Sequence, residues 1–273
     1  VAESLTAKVD IEPLDVLRRF GGVSRLYGDA GLAKLQTSHV CVIGIGGVGS
    51  WAAEALARNA IGSITLIDLD NIAESNVNRQ LHAVQGEFGK AKVTAMAARI
   101  RSINPDAKVH EVEDFITPEN AVSLLNKGFD AVLDAIDDAR AKVAVAAYCR
   151  IHKLPLITTG GAGGRLDATR IKTADLSQVN GDRLLAKVRN QLRRDYGFPK
   201  GTDGAKNGSA KFGITAVYSD EPVQRPAAVC DGDSAMITGL NCAGYGSSVC
   251  VTASFGMVAA GLVINRLLAP YSN

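Results

Sequence analysis

Five short groups of residues, spread in order along the first half of the chain, have the types and spacing to handle a nucleotide. The first is the turn Gly44-Ile45-Gly46-Gly47-Val48-Gly49. A backbone that approaches a phosphate closely cannot carry side chains there, so Gly44, Gly46, Gly47 and Gly49 suit a strand–turn–helix site. The free N–H groups and dipole of the following helix would then attract the anion. The second is Asp68, at the end of the next apolar run, where a carboxylate can accept both hydroxyls of a ribose. Up to this point NAD and ATP fit equally well. The third and fourth are Asp70-Asn-Ile-Ala-Glu-Ser75-Asn76-Val-Asn78-Arg79-Gln80 and Lys92. A hydride-transfer site has no evident need for that polar cluster, whereas a site that handles a triphosphate has. Arg79 and Lys92 can neutralise phosphate charge as the α–β bond breaks, and Asn76 can donate to a phosphate or the ribose. The fifth is Asp134, Asp137 and Asp138, which suit a Mg²⁺ that also takes phosphate and water ligands. Taken singly, Asn76 reads as a helix cap, Arg79 and Lys92 as solvated charges, and Asp137 as a cap. Their order and spacing together favour the site.

The elements that must position these residues are legible as apolar runs alternating with helix-period segments, the mark of an α/β fold with a parallel sheet. Strands are expected at 39–43, 63–67, 108–112, 131–135 and 154–158, with helices at 48–59, 89–103, 118–126 and 139–152. A further helix, 11–20, precedes the first strand. After Gly164 the pattern changes. Residues 168–173 and 212–218 read as strands, the former antiparallel, 182–196 as a basic amphipathic helix, 197–211 as a mobile loop, and 251–268 as an apolar helix. The expectation is one domain over 1–273, Rossmann-like and doubly wound with a mainly parallel sheet. Its ATP-binding core is 20–160 and its C-terminal substrate-binding elaboration 161–273.

The 273 residues are enough to bury a sizeable core. Thirty Lys and Arg against 28 Asp and Glu leave a net charge of +2, too small to point to a polyanion by itself. Five cysteines without a CxxC pair give no zinc knuckle and no disulfide framework, so reduced thiols in a cytoplasmic protein are expected. The acids near the N-terminus argue against a signal peptide. The apolar run 247–268 is broken by Ser, Thr, Asn265 and Arg266, so a buried helix is favoured over a membrane span.

The ordered motifs GIGGVGS, DLDNIAESNVNRQ, GKAK and LDAIDD resemble the ubiquitin-activating-enzyme superfamily, which includes enzymes that adenylate small sulfur-carrier proteins. The resemblance implies acyl adenylation with ATP and Mg²⁺ in a homodimer. It places Gly46 in the phosphate loop, Asp68 on the ribose, Asn76, Arg79 and Lys92 on phosphates, and Asp137 on the metal. It also implies an arginine upstream of the first strand that reaches the γ-phosphate, and Arg25 fits that place.

From residue 159 onward, TGGAGGRLDAT, DRLLAKVR, VYSDE and NCAGYG resemble a narrower branch, the tRNA threonylcarbamoyladenosine dehydratases. That resemblance implies a tRNA substrate and no DNA partner. Lys187, Arg189, Arg193 and Arg194 on the basic helix, with Lys200, Lys206 and Lys211 beyond it, are candidates for phosphate contacts. Cys242 is the thiol to weigh for covalent catalysis against a structural role, and Cys230 lies in a bridge, 222–240, that matches no motif. Cys41, Cys149 and Cys250 read as core, and His39, His82, His110 and His152 as packing or surface residues. Adenylation of a sulfur-carrier protein, with a cysteine desulfurase or carrier as partner, and an NAD-dependent or nucleotide-sensing module remain as alternatives.

Overall fold

A computed structural model describes residues 15–200, 210–224 and 245–269. Seven strands form one sheet in the order β3-β2-β1-β4-β5-β7-β6. They are β1 (His39–Ile43), β2 (Ser63–Ile67), β3 (Lys108–Val112), β4 (Ala131–Asp134), β5 (Leu156–Thr159), β6 (Ile171–Asp175) and β7 (Thr215–Ser219). All neighbours pair in parallel except β6, which runs antiparallel to β7. The chain order reverses between β1 and β4, and the crevice at such a switch point is where open α/β sheets take ligands.

The two-residue period of the central strands divides the core. Val40, Val42, Ile64 and Leu66 face one side, and Cys41, Ile43, Ile67 and Val132 face the other. On the first side lie α2 (Gly49–Arg58), α3 (Lys92–Ile103) and α7 (Val249–Leu268). On the second lie α4 (Ala121–Leu125), α5 (Ala139–Ile151) and α6 (Arg183–Asp195). Both faces of the sheet are covered, as a near-continuous apolar strand requires.

The structure revises several expected boundaries. The N-terminal helix, α1, spans Val16–Thr37 rather than 11–20, and residues 11–14 lie outside the described part. Asp15 caps it by accepting from Arg18 N at 2.9 Å, and Gly28, at φ 75° and ψ 166°, leaves the helical backbone, so α1 is two helical pieces joined by a kink. Phe20 before the kink and Leu32 and Leu35 after it are buried, which holds both pieces against the fold. Gly89, at φ 85°, delays α3 to Lys92. The 168–173 segment begins as a short 3₁₀ turn, Ala168–Arg170, capped by Asp167, so the strand starts at Ile171. Likewise β7 starts at Thr215, because Asp175 accepts from Phe212 N (2.9 Å) and Gly213 N (2.8 Å) and Gly213 turns at φ 74°. Of the expected mobile loop, 201–209 lies outside the described residues, while its flanks are pinned. Phe198 and Phe212 are buried and meet edge to face at 4.8 Å, and the Arg150 guanidinium lies over Phe198.

The apolar C-terminal helix is long and apolar enough to cross a membrane by length and composition, yet over half of it is buried inside the fold. Val251, Phe255, Ala259 and Val263 enter the core beside α2. Gly256 makes that approach work: a Cβ there would sit 2.4 Å from Val48 O and 2.9 Å from Ala52 N. Cys41 and Cys149 are buried, as expected, and burial pushes both thiols upward. Cys250 is a correction: it is exposed, on the first turn of α7 and off the face that packs on α2. Replacing Gly256 by Ala should lower stability by about 2 kcal/mol, the overpacking range. Urea denaturation checks this, with the loss read as a lower midpoint at constant slope.

Candidate active site

The glycine turn leaves β1 and doubles back tightly before α2. Gly44 sits at φ 84°, and a Cβ on it would press Ala135 C and O at 3.0 Å. Gly49 is stricter, since a Cβ there would lie 1.7 Å from Gly44 O. No side chain caps the start of α2, which leaves that helix end open to an anion. Gly47 faces the Arg79 side chain, and Gly46 faces the Gln80 amide.

Asp68 holds this turn from the neighbouring strand. Its buried carboxylate accepts from Ile45 N at 2.6 Å and from Asp70 N at 2.9 Å. Burial raises its pKa, partly offset by the Lys92 ammonium and these two backbone donors. Lys92 opens α3, itself buried, with Nζ 2.6 Å from Asp70 Oδ2 and 3.8 Å from Asp68 Oδ1. Lys92 is therefore not the solvated charge of the bland reading.

Asn76 closes a 3₁₀ turn, Glu74–Asn76, by accepting from Ala73 N at 3.0 Å. The cap reading is right for its oxygen, while its NH₂ has no partner among the described residues. Arg79 follows, half-buried, with Nη1 donating to Ser75 O and Asn78 Oδ1, both at 2.9 Å. Trp51 Nε1 donates to Arg79 O at 3.0 Å and so ties this segment to α2. Burial lowers the Arg79 pKa from its ordinary value.

The three acids after β4 divide their tasks. Asp134 is fully buried, 2.9 Å from Lys142 Nζ, and accepts from Thr158 Oγ1 at 2.7 Å. Asp138 caps α5 through Ala141 N at 2.7 Å. The cap role thus falls to Asp138, and Asp137 keeps a carboxylate without a hydrogen bond or ion pair among the described residues. No cluster of three or more metal-ligating side chains occurs among those residues. A single free carboxylate oxygen donor fits a Mg²⁺ that draws most of its ligands from phosphates and water.

Beside Arg79 lies a cleft of about 420 Å³ between Glu74, Ser75, Val77 and Asn78 on one wall and Tyr245, Gly246 and Ser247 on the other. Asn78 Nδ2 bridges the two by donating to Ser247 O at 2.8 Å. The glycine run after β5 joins the same region, with Gly164 N donating to Gly246 O and Gln224 N to Gly164 O, both at 2.8 Å. Glu221 accepts from Leu166 N and Asp167 N, and Asp182 accepts from Gly161 N. The late motifs thus meet beside the Arg79 segment. Tyr245 and Gly246, quoted only as part of a resemblance, prove to line the cleft through long-range contacts. Lys142, the buried partner of Asp134, was not singled out by any local pattern.

Other expected residues do not converge. Arg25 is exposed on α1, folded back along its own helix near Gly21, and touches none of the residues above. Its helix packs at the far end of the sheet, where Arg19 Nη1 donates to Ile103 O at 2.7 Å and Gly31 faces Leu268. On α6, Arg189 donates to Val179 O, and Arg193 donates to Pro199 O (3.1 Å) and Ser177 O (3.4 Å). Lys187 and Arg194 are exposed, the latter paired with Asp195 at 2.7 Å. Lys200 and Lys211 are exposed as well. Cys230, Cys242 and Lys206 lie outside the described residues.

A mainly parallel sheet with an open glycine turn at its switch point, held by Asp68 and flanked by Arg79 and Lys92, defines a nucleotide-handling α/β protein. The ThiF family pattern matches residues 21–268, and the chain belongs to that family. It is 49% identical to a tRNA threonylcarbamoyladenosine dehydratase of Haemophilus influenzae, over 92% of this chain and 94% of that one. To the protein of that name from Escherichia coli it is 45% identical, over 92% and 94%. Its fold superposes on a crystal structure of the Escherichia coli tRNA N6-threonylcarbamoyladenosine dehydratase in complex with ATP with a TM-score of 0.82. That match is 44% identical and covers 93% of this chain and 96% of the other.

His82 gives the site an acid limit. It is buried, neither ring nitrogen has a partner among the described residues, and burial, helped by Lys92, pushes its pKa down to about 4. In the unfolded chain it titrates near its ordinary value, so between about pH 6.5 and 4 the unfolded state binds the extra proton. Stability should therefore fall by roughly 3 kcal/mol as pH drops through that window. Urea denaturation against pH checks this, and His82→Gln should flatten the slope there.

Proposed function

We propose that the chain is an ATP-dependent enzyme that converts threonylcarbamoyladenosine, beside the anticodon of tRNA, to its cyclic oxazolone form. The observation that carries this is the likeness over more than nine-tenths of the chain to dehydratases of that name, joined to a site with the groups such chemistry needs. The substrate's free carboxylate attacks the α-phosphorus of ATP and displaces pyrophosphate. The carbamoyl oxygen then attacks the acyl adenylate carbonyl, AMP leaves, and the net loss is one water. The substrate supplies its own nucleophile, so no cysteine is required, and Cys242 takes a structural role in this reading.

The protein's work is positioning and electrostatics. Asp68 accepts from the ribose, and the turn Gly44, Gly46, Gly47 and Gly49 receives phosphates over the open start of α2. Asn76 offers its free NH₂. Arg79 and Lys92 balance the charge that builds as pyrophosphate leaves. Asp70 holds Lys92 until the nucleotide competes for it. Asp137 would hold Mg²⁺, which adds charge neutralisation at the phosphates. The wall formed by Gly160–Gly164 and Tyr245 keeps water from the adenylate, which hydrolyses if solvated.

Arg25 reaches a γ-phosphate only from a second subunit, because its own helix lies at the opposite end of the sheet, and this supports a homodimer. The whole chain acts as one cytoplasmic unit, with 20–160 binding ATP and 161–273 shaping the substrate side. On α6 the exposed Lys187 and Arg194 contact tRNA, since Arg189 and Arg193 spend donors on the main chain. A cysteine desulfurase or sulfur carrier has no step to perform in this scheme, and neither does DNA.

ATP–pyrophosphate exchange dependent on modified tRNA tests the reading. Arg79→Ala and Asp137→Asn should each reduce exchange by at least about a hundredfold, the scale of a lost transition-state contact, with unfolding midpoints unchanged. Exchange driven by a carrier protein instead of tRNA would sink the assignment. Mixing inactive Arg25→Ala and Asp137→Asn subunits should restore about one quarter of wild-type turnover, because half the dimers are mixed and each has one intact site. No recovery would overturn the assignment of Arg25 to the partner's site, and a fully active Arg25→Ala variant would place it outside the mechanism.

A further inference from the structure

A second cleft, of about 410 Å³, lies at the end of the sheet away from the glycine turn, lined by Arg19, Phe20, Arg58, Arg99, Ser102 and Ile103. Three elements meet there: the start of α1 and the last turns of α2 and α3. Their guanidiniums are not loose. Glu54, buried on α2, accepts from Arg99 Nε (3.0 Å) and Nη2 (2.9 Å) and from Arg58 Nε (2.8 Å). Arg19 is held by its bond to Ile103 O. Burial pushes the Glu54 carboxyl upward, but the hydrogen bonds from Arg99 and Arg58 outweigh it and keep it ionised.

Three guanidiniums against one carboxylate leave the cleft two positive charges in excess. Among the described residues, Arg58 and Arg99 each retain an Nη1 without a hydrogen bond, and Arg19 retains Nε and Nη2. An arginine at the end of α2 and another at the end of α3 would follow from the helix dipole alone. The arrival of Arg19 from α1, with donors to spare, does not. Fixed guanidinium donors in a positively charged cleft suit a phosphate group.

We propose that this cleft binds a phosphodiester of the tRNA backbone, on the stem side of the modified adenosine. The inference rests on the tRNA reading above. The length of α3 supports it, since Lys92 at the site and Ile103 at the cleft end the same 12-residue helix. At 1.5 Å per residue they are roughly 17 Å apart. Roughly five stacked nucleotides of one strand cover that distance. A substrate adenosine seated beside the ATP phosphates, with its stem running along α3, brings its backbone to the arginines.

The test uses the full-length enzyme with tRNA bearing threonylcarbamoyladenosine. Arg19→Glu is the principal variant, because Arg19 does not neutralise Glu54, and Arg58→Gln is the second. Arg19→Glu should raise KM for tRNA about tenfold while kcat at saturating tRNA and ATP affinity stay at wild-type values. The slope of log K for tRNA against log salt should become shallower by about one for the lost phosphate contact. Unchanged KM and slope in both variants, with wild-type turnover intact, would overturn the cleft as an RNA site. Calorimetric titration with inorganic phosphate separates the sources: phosphate binding lost in Arg19→Glu without any change in tRNA KM marks a free-anion site and also overturns it. A changed sedimentation coefficient would do the same by marking an interface between copies. A wild-type enzyme that leaves modified tRNA unchanged defeats the functional reading instead, and the two failures are distinguishable.

Discussion

The carboxylate of Asp68 joins two stretches of chain that would otherwise move independently. One oxygen receives Ile45 N in the glycine turn, and the other receives Asp70 N at the start of the long segment after β2. Both are main-chain bonds to a single buried carboxyl group. Through them the turn and the Asp70–Lys92 segment share one frame. Lys92 closes the ring from α3 by reaching Asp70, and Trp51 closes it from α2 by reaching Arg79 O. The groups proposed for ATP are thereby set by one buried acid rather than by each element separately. Ribose recognition, in this view, uses the remaining lone pairs of a carboxylate that is already doing structural duty.

Charge distribution follows the same economy. The site holds Lys92 and Arg79 partly desolvated, with Asp70 and Asp68 as counter-charges. Elsewhere buried charges are paired outright, as Lys142 is with Asp134 behind β4. That pair fixes the strand end from which Asp137 projects. Removing one partner of such a pair strands a buried charge, which costs far more than the pair itself contributes. The difference between half-paired groups at the mouth and fully paired groups beneath it separates ligand-ready residues from scaffold.

Much of this was legible beforehand because the period of two in β1, β2 and β4 and the glycine spacing both report local geometry. The motif Ser75-Asn76-Val-Asn-Arg79 was readable as chemistry, and the structure places the Arg79 side chain against Gly47 of the turn, while Asn76 closes the 3₁₀ turn before it. Division of labour among Asp134, Asp137 and Asp138 was not readable, since three acids in five residues look alike until burial and capping sort them. Arg189 and Arg193 looked like RNA contacts on a basic helix face; whether a guanidinium finds a carbonyl such as Val179 O is decided by packing after α6 docks. The extent of α1 was not readable, because it is two helical pieces kinked at Gly28 and held by tertiary burial of Phe20, Leu32 and Leu35 rather than by one local pattern.

The position of β7 has a consequence for how the chain is built at the ribosome. Residues 215–219 lie between β5 and β6, so β6 pairs with nothing in the sheet until β7 has arrived. Helix α7 then covers the face shared by α2, and its residues are the last described in the core. The nascent chain therefore carries a finished glycine turn over an unfinished sheet edge for much of its synthesis. Unpaired edges and bare apolar faces are the surfaces on which partly made chains aggregate. The glycine turn is thus among the first parts able to form, while β7 and α7, which complete the edge and cover the face, come last.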